Sequence, residues 1–233
     1  MTSALDRNRE VFGDFWRHFD LFPPERWWSW AEIAPFVDGA RRLDIGPGKF
    51  PRLPVDGTYF VDLSTAALEV LRAGGGRCVR AASPLPFPDQ TFDVVSLFEV
   101  LEHVDDDRAL LHEIHRVLKP RGVLFLSCPM NPAYWTHYDK VIGHVRRYRA
   151  TELSDRLSGC GFSVERTCAR DDRMDGWFGA LFGFGVQHLP SLTARIVKRY
   201  LPTVAAFAWT WRDGDDLSEA ERRGGVAARA RKR

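Results

Sequence analysis

From residue 41 onward the chain alternates short apolar runs with amphipathic stretches. The runs 41–45, 58–62, 77–81, 92–97 and 122–128 are rich in Val, Leu, Ile and Phe and bounded by Gly, Pro or Asp, a pattern that predicts strands. Between them, 64–73 and 106–118 carry apolar residues at helical spacing. Gly74-Gly75-Gly76 stops the first helix, and Lys119-Pro120-Arg121-Gly122 turns the second into its strand. A helix over 151–160, capped by Thr151, and a strand over 162–168 follow. Alternating helices and apolar strands specify an α/β fold, a parallel sheet with helices on both faces.

The flanks read differently. Residues 5–38 hold Phe12, Phe15, Trp16, Phe19, Phe22, Trp27, Trp28 and Trp30, a density suited to an aromatic-rich helical cap. Residues 171–213, rich in Trp, Phe and Gly, predict one or two inserted helices serving as a lid, and 224–231 is weakly strand-like. The reading is one domain over 1–233, with a cap at 1–38, a ligand-binding core at 39–170, the insertion and a last strand.

The chemistry begins at Leu43-Asp44-Ile45-Gly46-Pro47-Gly48. A strand ending in Asp-x-Gly-x-Gly brings bare backbone close to a ligand, because glycine has no Cβ. Asp62 lies 18 residues after Asp44, where an acidic side chain suits the two hydroxyls of a ribose. Prolines 47, 51 and 54 oppose a helix after the glycines, so the loop lacks the helix N-terminus that would hold a pyrophosphate.

These residues, with Tyr59-Phe60-Val61-Asp62-Leu63-Ser64 and the block from Leu85 to Pro129, resemble the class I S-adenosylmethionine-dependent methyltransferases, particularly the type 11 group. The resemblance covers roughly residues 40–170. It implies a Rossmann-like, seven-stranded, mostly parallel sheet with an antiparallel last strand, supplied by 224–231. S-adenosylmethionine is the implied cofactor, with its ribose on Asp62 and its methionine part over Asp44, Gly46, Pro47 and Gly48. Leu63 and Phe98 complete the contacts. Relatives commonly carry an Asp shortly before Leu-Pro-Phe; this chain has Ala81-Ala82-Ser83-Pro84, which leaves the adenine to backbone groups or to Ser83.

Glu99-Val100-Leu101-Glu102-His103 follows the fourth strand. On a helical turn Glu99, Glu102 and His103 share a face, and with His144 they form a candidate site for a divalent cation such as Mg²⁺ or Mn²⁺. The motif resembles the Glu-x-x-Glu-His site of plant-type small-RNA 2′-O-methyltransferases and of ubiquinone-pathway O-methyltransferases. Many type 11 relatives carry Leu-Glu-His-Val without a metal, so a metal-free site, with His103 and His144 as catalytic candidates and His103 as base, stays open. His137, Tyr138, His144 and Tyr148 are expected on the acceptor-facing loop. His112 and His115 are expected on a helix surface, and His18 and His188 in packing roles.

Composition then excludes classes. Lys and Arg number 33 against 31 Asp and Glu, and no RNA-binding module is appended, which argues against a nucleic-acid partner. The four cysteines, at 78, 128, 160 and 168, show neither metal spacing nor a disulfide framework. The N-terminus is polar and the apolar run 176–189 is too short to span a bilayer, so a cytoplasmic location is expected. The 177–184 stretch fits an internal lid or a homodimer contact. The leading reading is O-methylation of a small-molecule acceptor; N- or C-methylation, RNA 2′-O-methylation and a non-catalytic partner protein are the alternatives.

Overall fold

The computed structural model describes residues 20–171 and 211–233, together with Gly185, His188, Leu189, 191–193, Arg195, Ile196, Arg199 and Tyr200. The aromatic positions before residue 20 and those from 177 to 184 lie outside the described residues. The strands are β1 (Arg42–Ile45), β2 (Tyr59–Asp62), β3 (Arg77–Arg80), β4 (Phe92–Phe98), β5 (Leu118–Pro129), β6 (Phe162–Asp171), β7 (Trp211–Asp213) and β8 (Gly224–Lys232). The helices are α1 (Trp30–Ile33), α2 (Thr65–Ala73), α3 (Asp107–Val117), α4 (His137–Val141), α5 (Ala150–Gly159) and α6 (Ser218–Arg223).

The strands form one sheet in the order β3-β2-β1-β4-β5-β8-β6-β7. β3, β2, β1, β4 and β5 are mutually parallel, and β8 runs antiparallel between β5 and β6. The antiparallel last strand is therefore as expected, and the sheet has eight strands because β7 adds three antiparallel pairs at the edge of β6. Trp211-Arg212-Asp213 is too short to announce a strand by alternation. β8 carries Val226, Ala227, Ala228 and Ala230, all fully buried, so its small side chains let layers pack on both faces.

Local chemistry explains the helix starts. The Ser64 hydroxyl accepts from the Ala67 amide at 3.3 Å, and Asp106 accepts from the Ala109 amide at 2.9 Å. α5 begins one residue earlier than its expected cap: the Arg149 amide donates to Glu152 at 3.0 Å, and Thr151 lies inside the helix. The expected turn at 119–122 is a bulge within β5, where Phe92 pairs with Leu118 and Val94 already pairs with Val123.

One face of the sheet meets α3 and α5 through Leu110, Leu111, Ile114, Leu153 and Leu157. On another patch Ile33, Val37, Leu53, Val94, Phe98, Val123 and Phe125 are joined by half-buried Trp28, Trp30 and Phe36 of the N-terminal segment. The described part of that segment, residues 20–38, is short turns and α1. Glu32 of α1 is buried and pairs with both Arg166 of β6 and Arg229 of β8. Arg229 also meets Glu165 at 3.0 Å, which ties the cap to the antiparallel half of the sheet. His115 departs from its expected surface position: it is half-buried, with its ring 5.5 Å from Phe162.

Candidate active site

The strand order reverses between β1 and β4, and in such sheets the crevice outside the carboxyl ends of the strands holds the ligand. The loop after β1 contributes Gly46 and Gly48, at φ of 66° and 55°. Both values lie in the left-handed region that favours glycine. A Cβ on Gly46 would stand 2.7 Å from Cγ2 of Val100, so the loops after β1 and β4 touch across the crevice because position 46 has no side chain.

Asp62 ends β2. Its Oδ2 accepts from the Gly48 amide at 2.8 Å and its Oδ1 from the Ser64 amide at 2.7 Å. Each oxygen keeps lone-pair capacity, so the carboxylate is fixed in place yet able to accept two further hydroxyl protons. Burial raises its pKa despite these amides. Asp44, only 1% exposed, accepts from the Arg52 amide at 2.9 Å, and burial pushes its carboxyl up to about 6.

Pro47 is buried within the loop, Leu63 offers its carbonyl to Arg80 at 3.1 Å, and Phe98 lies beneath Arg52. Ser83 stands exposed after β3. The Arg52 guanidinium stacks 3.5 Å over Trp27 and 4.9 Å from Phe98, with Phe22 and Phe50 around Trp27. Sequence reasoning passed over Arg52, whose surroundings come from three separate segments.

The second half of the site lies after β4. Glu102, His103 and His144 each present a ligand atom, all within 4.8 Å of one another. Glu102 Oε1 lies 3.8 Å from His103 Nε2 and 3.6 Å from His144 Nε2, and the two rings stand edge to face at 4.6 Å. The other nitrogens are committed elsewhere. His103 Nδ1 bonds the Gly143 carbonyl at 3.2 Å, and His144 Nδ1 bonds Asp139 at 2.8 Å. A carbonyl can only accept, so Nδ1 of His103 carries the proton and its Nε2 presents a lone pair to Glu102. His144, bonded to a carboxylate, is held the same way.

Glu99 falls outside this group. The expected helical turn is absent: Glu99 sits at φ 53°, and Leu101–His103 make a single 3-10 turn. Its carboxylate instead accepts from the Ser127 hydroxyl at 2.6 Å, while its amide donates to the Ser127 carbonyl. A left-handed glutamate costs on the order of 1 kcal/mol, and such strain clusters at ligand-facing turns.

Asp139 is the residue the sequence concealed. It is fully buried, and its Oδ1 accepts from both His144 and Arg147 Nε at 2.8 Å. Its Oδ2 accepts from the Thr136 amide at 2.7 Å and from Arg147 Nη2 at 3.2 Å. Burial works against its charge, but the bonds from His144, Arg147 and Thr136 outweigh it and hold the carboxyl well below the usual range. The Thr136-x-x-Asp139 spacing was the available signal, as a capping box.

His103 is pushed down to about 3, by burial and then by the neighbouring His144, so its imidazole stays neutral. Tyr148, expected on the acceptor loop, is buried instead, with its hydroxyl donating to Asp107 at 2.9 Å. His137 is exposed on α4, Tyr138 is half-buried, and both His112 and His188 are exposed, the last against the packing expected of it.

A family model described as a methyltransferase domain matches residues 43–126. A probable S-adenosylmethionine-dependent methyltransferase of Mycolicibacterium smegmatis is 39% identical over 85 residues, 36% of this chain and 33% of that protein. The match thus spans about a third of that relative's length. A demethylmenaquinone methyltransferase of Clavibacter sepedonicus is 34% identical over 181 residues, covering 71% of this chain and 73% of its own. Among solved structures, a possible histamine N-methyltransferase of Thermotoga maritima superposes with a TM-score of 0.60 at 17% identity, over 97% of this chain and 100% of that one, a likeness of fold.

Proposed function

This chain belongs to the class I S-adenosylmethionine-dependent methyltransferases, and on that premise we propose that it methylates the oxygen of a small-molecule acceptor bearing an ionisable hydroxyl. The observation that carries the reading is the convergence of Glu102 and two Nε2 lone pairs, each histidine being oriented through its Nδ1. When bound, the cofactor supplies an electrophilic methyl group, so much of the catalysis is positioning. Asp62 is the residue that would hold its ribose, and Gly46 and Gly48 admit its backbone-close part.

The same donor set, two imidazoles and a carboxylate, suits a borderline divalent cation, which would lower the pKa of a coordinated hydroxyl. His103 fits the part of ligand better than that of base, since an imidazole so reluctant to protonate is a weak acceptor for a hydroxyl proton. Asp139 and Gly143 supply the outer bonds that metal-ligating histidines make. Methylation at a ring carbon is the second reading, favoured by the demethylmenaquinone methyltransferase relative. It asks the same of this cluster, removal of a hydroxyl proton to make the neighbouring carbon nucleophilic.

The test combines calorimetry with turnover on hydroxylated aromatic acceptors. Asp62→Ala should weaken S-adenosylhomocysteine binding at least about tenfold, or about 1.4 kcal/mol. Chelation should abolish turnover, spare cofactor affinity and be reversed by a divalent ion that accepts imidazole ligands, such as Mn²⁺ or Co²⁺. Full turnover in excess chelator removes the metal. Fragmentation of the product, locating the new methyl on oxygen or on carbon, separates the two readings.

A further inference from the structure

The crevice at the carboxyl ends of β1 and β4 holds a pair of opposite charges, Asp44 and Arg52. After Gly48 the chain turns back so soon that the Arg52 amide reaches Asp44 Oδ2 at 2.9 Å. This return sets the Arg52 side chain beside the strand ends, with its guanidinium 4.9 Å from the ring of Phe98, the last residue of β4. Trp27 of the N-terminal segment stacks on the same guanidinium at 3.5 Å, and Phe22 and Phe50 pack edge-on against Trp27. The segment is itself tied to the loop, since the Phe22 amide donates to the Lys49 carbonyl at 3.0 Å. Two rings thus fix the position of the cation, while the donors of a guanidinium lie in its own plane, across the stacking direction. Its attraction reaches the Asp44 carboxyl, where it works against burial.

We infer that Arg52 binds the α-carboxylate of the cofactor's methionine part, with Asp44 taking its ammonium group. This rests on the S-adenosylmethionine reading and deepens it. The methionine part ends in a zwitterion, and a fixed carboxylate beside a fixed guanidinium is its complement, each charge meeting the opposite sign. Asp44 by itself would attract the ammonium group and repel the carboxylate, so a cation in the same crevice decides whether the amino-acid end is held. Arginine suits the part, because its planar fork matches both carboxylate oxygens and its charge persists at any working pH. Lys49 is the other cation of the loop and is buried. Arg52 is assigned the role because Trp27, Phe98 and the bond to Asp44 together fix where its charge stands.

The experiment is a calorimetric cycle of two proteins and two ligands. The native chain and Arg52→Gln are each titrated with S-adenosylhomocysteine and with its decarboxylated analogue, which keeps the ammonium group. On the native chain, loss of the carboxylate should weaken binding about tenfold or more, and Arg52→Gln should weaken S-adenosylhomocysteine by a similar factor. On Arg52→Gln the two ligands should bind within about twofold of each other, because the carboxylate has lost its partner. Arg52→Lys, which keeps the charge without the fork, should recover part of the loss and carries the cycle if the glutamine variant does not fold. Methylthioadenosine, which lacks the whole amino-acid end, should bind native chain and variants alike. Equal losses for all three ligands would make Arg52 a purely structural clamp and overturn the inference, as would a native chain indifferent to the carboxylate. A carboxylate-selective loss in Lys49→Gln and not in Arg52→Gln overturns it as well. A native chain that binds none of the three ligands brings down the cofactor reading, and this inference with it.

Discussion

Replacing Asp44 with Asn should make the protein more stable at neutral pH. The carboxyl is 1% exposed and titrates at about 6, where an unfolded chain would ionise it near 3.8. Between those values the folded state holds more protons than the unfolded one. Stability is therefore full below the lower value, falls as pH rises through the window, and stays reduced above it. Two pKa units at 1.36 kcal/mol each put the penalty at about 3 kcal/mol. Asparagine cannot ionise and keeps a carbonyl oxygen for the Arg52 amide. The Arg52 attraction is already contained in that value, but the new amide nitrogen cannot accept a hydrogen bond where a carboxylate oxygen did, which offsets part of the gain, by about 1 kcal/mol. Urea unfolding of both proteins at about pH 8 should give the variant a lead of about 2 kcal/mol, shrinking towards zero or below near pH 4. A difference that does not change with pH refutes the reasoning. S-adenosylhomocysteine affinity should fall in the same variant, the usual exchange where a destabilising group serves a site.

Gly46→Ala should destabilise the fold by about 1–2 kcal/mol through its φ of 66° and the 2.7 Å approach to Val100, and weaken cofactor binding. Adding Val100→Ala should recover the steric part; unfolding energies that add strictly would show that Val100 is not what keeps the position small. Asp139→Asn presents His144 Nδ1 with an amide group, and an amide donor there would move the ring proton to Nε2. Divalent-ion affinity should then drop about 10- to 100-fold. Nitrogen chemical shifts of the His144 ring, unchanged in the variant, would rule out that tautomer role.

The cofactor half was legible because its residues are close in sequence and answer to backbone rules. Gly46, Gly48 and Asp62 sit where strand ends and glycine conformations put them, and the first four strands and β8 match their expected ranges within a residue, whereas β5 runs through an expected turn, β6 continues three residues further and β7 was missed. The second half was legible in its members but not in its shape. Glu102, His103 and His144 meet, yet Glu99 leaves them, because helical spacing presumes a helix and a left-handed residue ends that presumption. Tyr148 changed role and Asp139 went unseen for a related reason. Residue type says that each seeks a partner; only packing says that Tyr148 finds Asp107 in the core and that Asp139 turns to His144. Arg52 was invisible because Trp27 and Phe98, the rings it stacks on, are far from it in sequence and meet it only in the fold.

The ion pairs of Glu32 also set an order of assembly. Arg229 lies 197 positions after it, and β8, which carries that arginine, is the neighbour β5 needs on its outer side. During synthesis the chain thus completes β1 to β5, and with them every candidate residue through Glu102 and His103, while β5 still shows an open edge and Glu32 a carboxylate awaiting its cations. Contacts of such sequence separation close late and expose a sheet edge until they do. A chain stalled before residue 224 would hold the residues of the site with the outer edge of β5 unpaired and Glu32 without Arg229, so β8 is the element that closes the sheet around them.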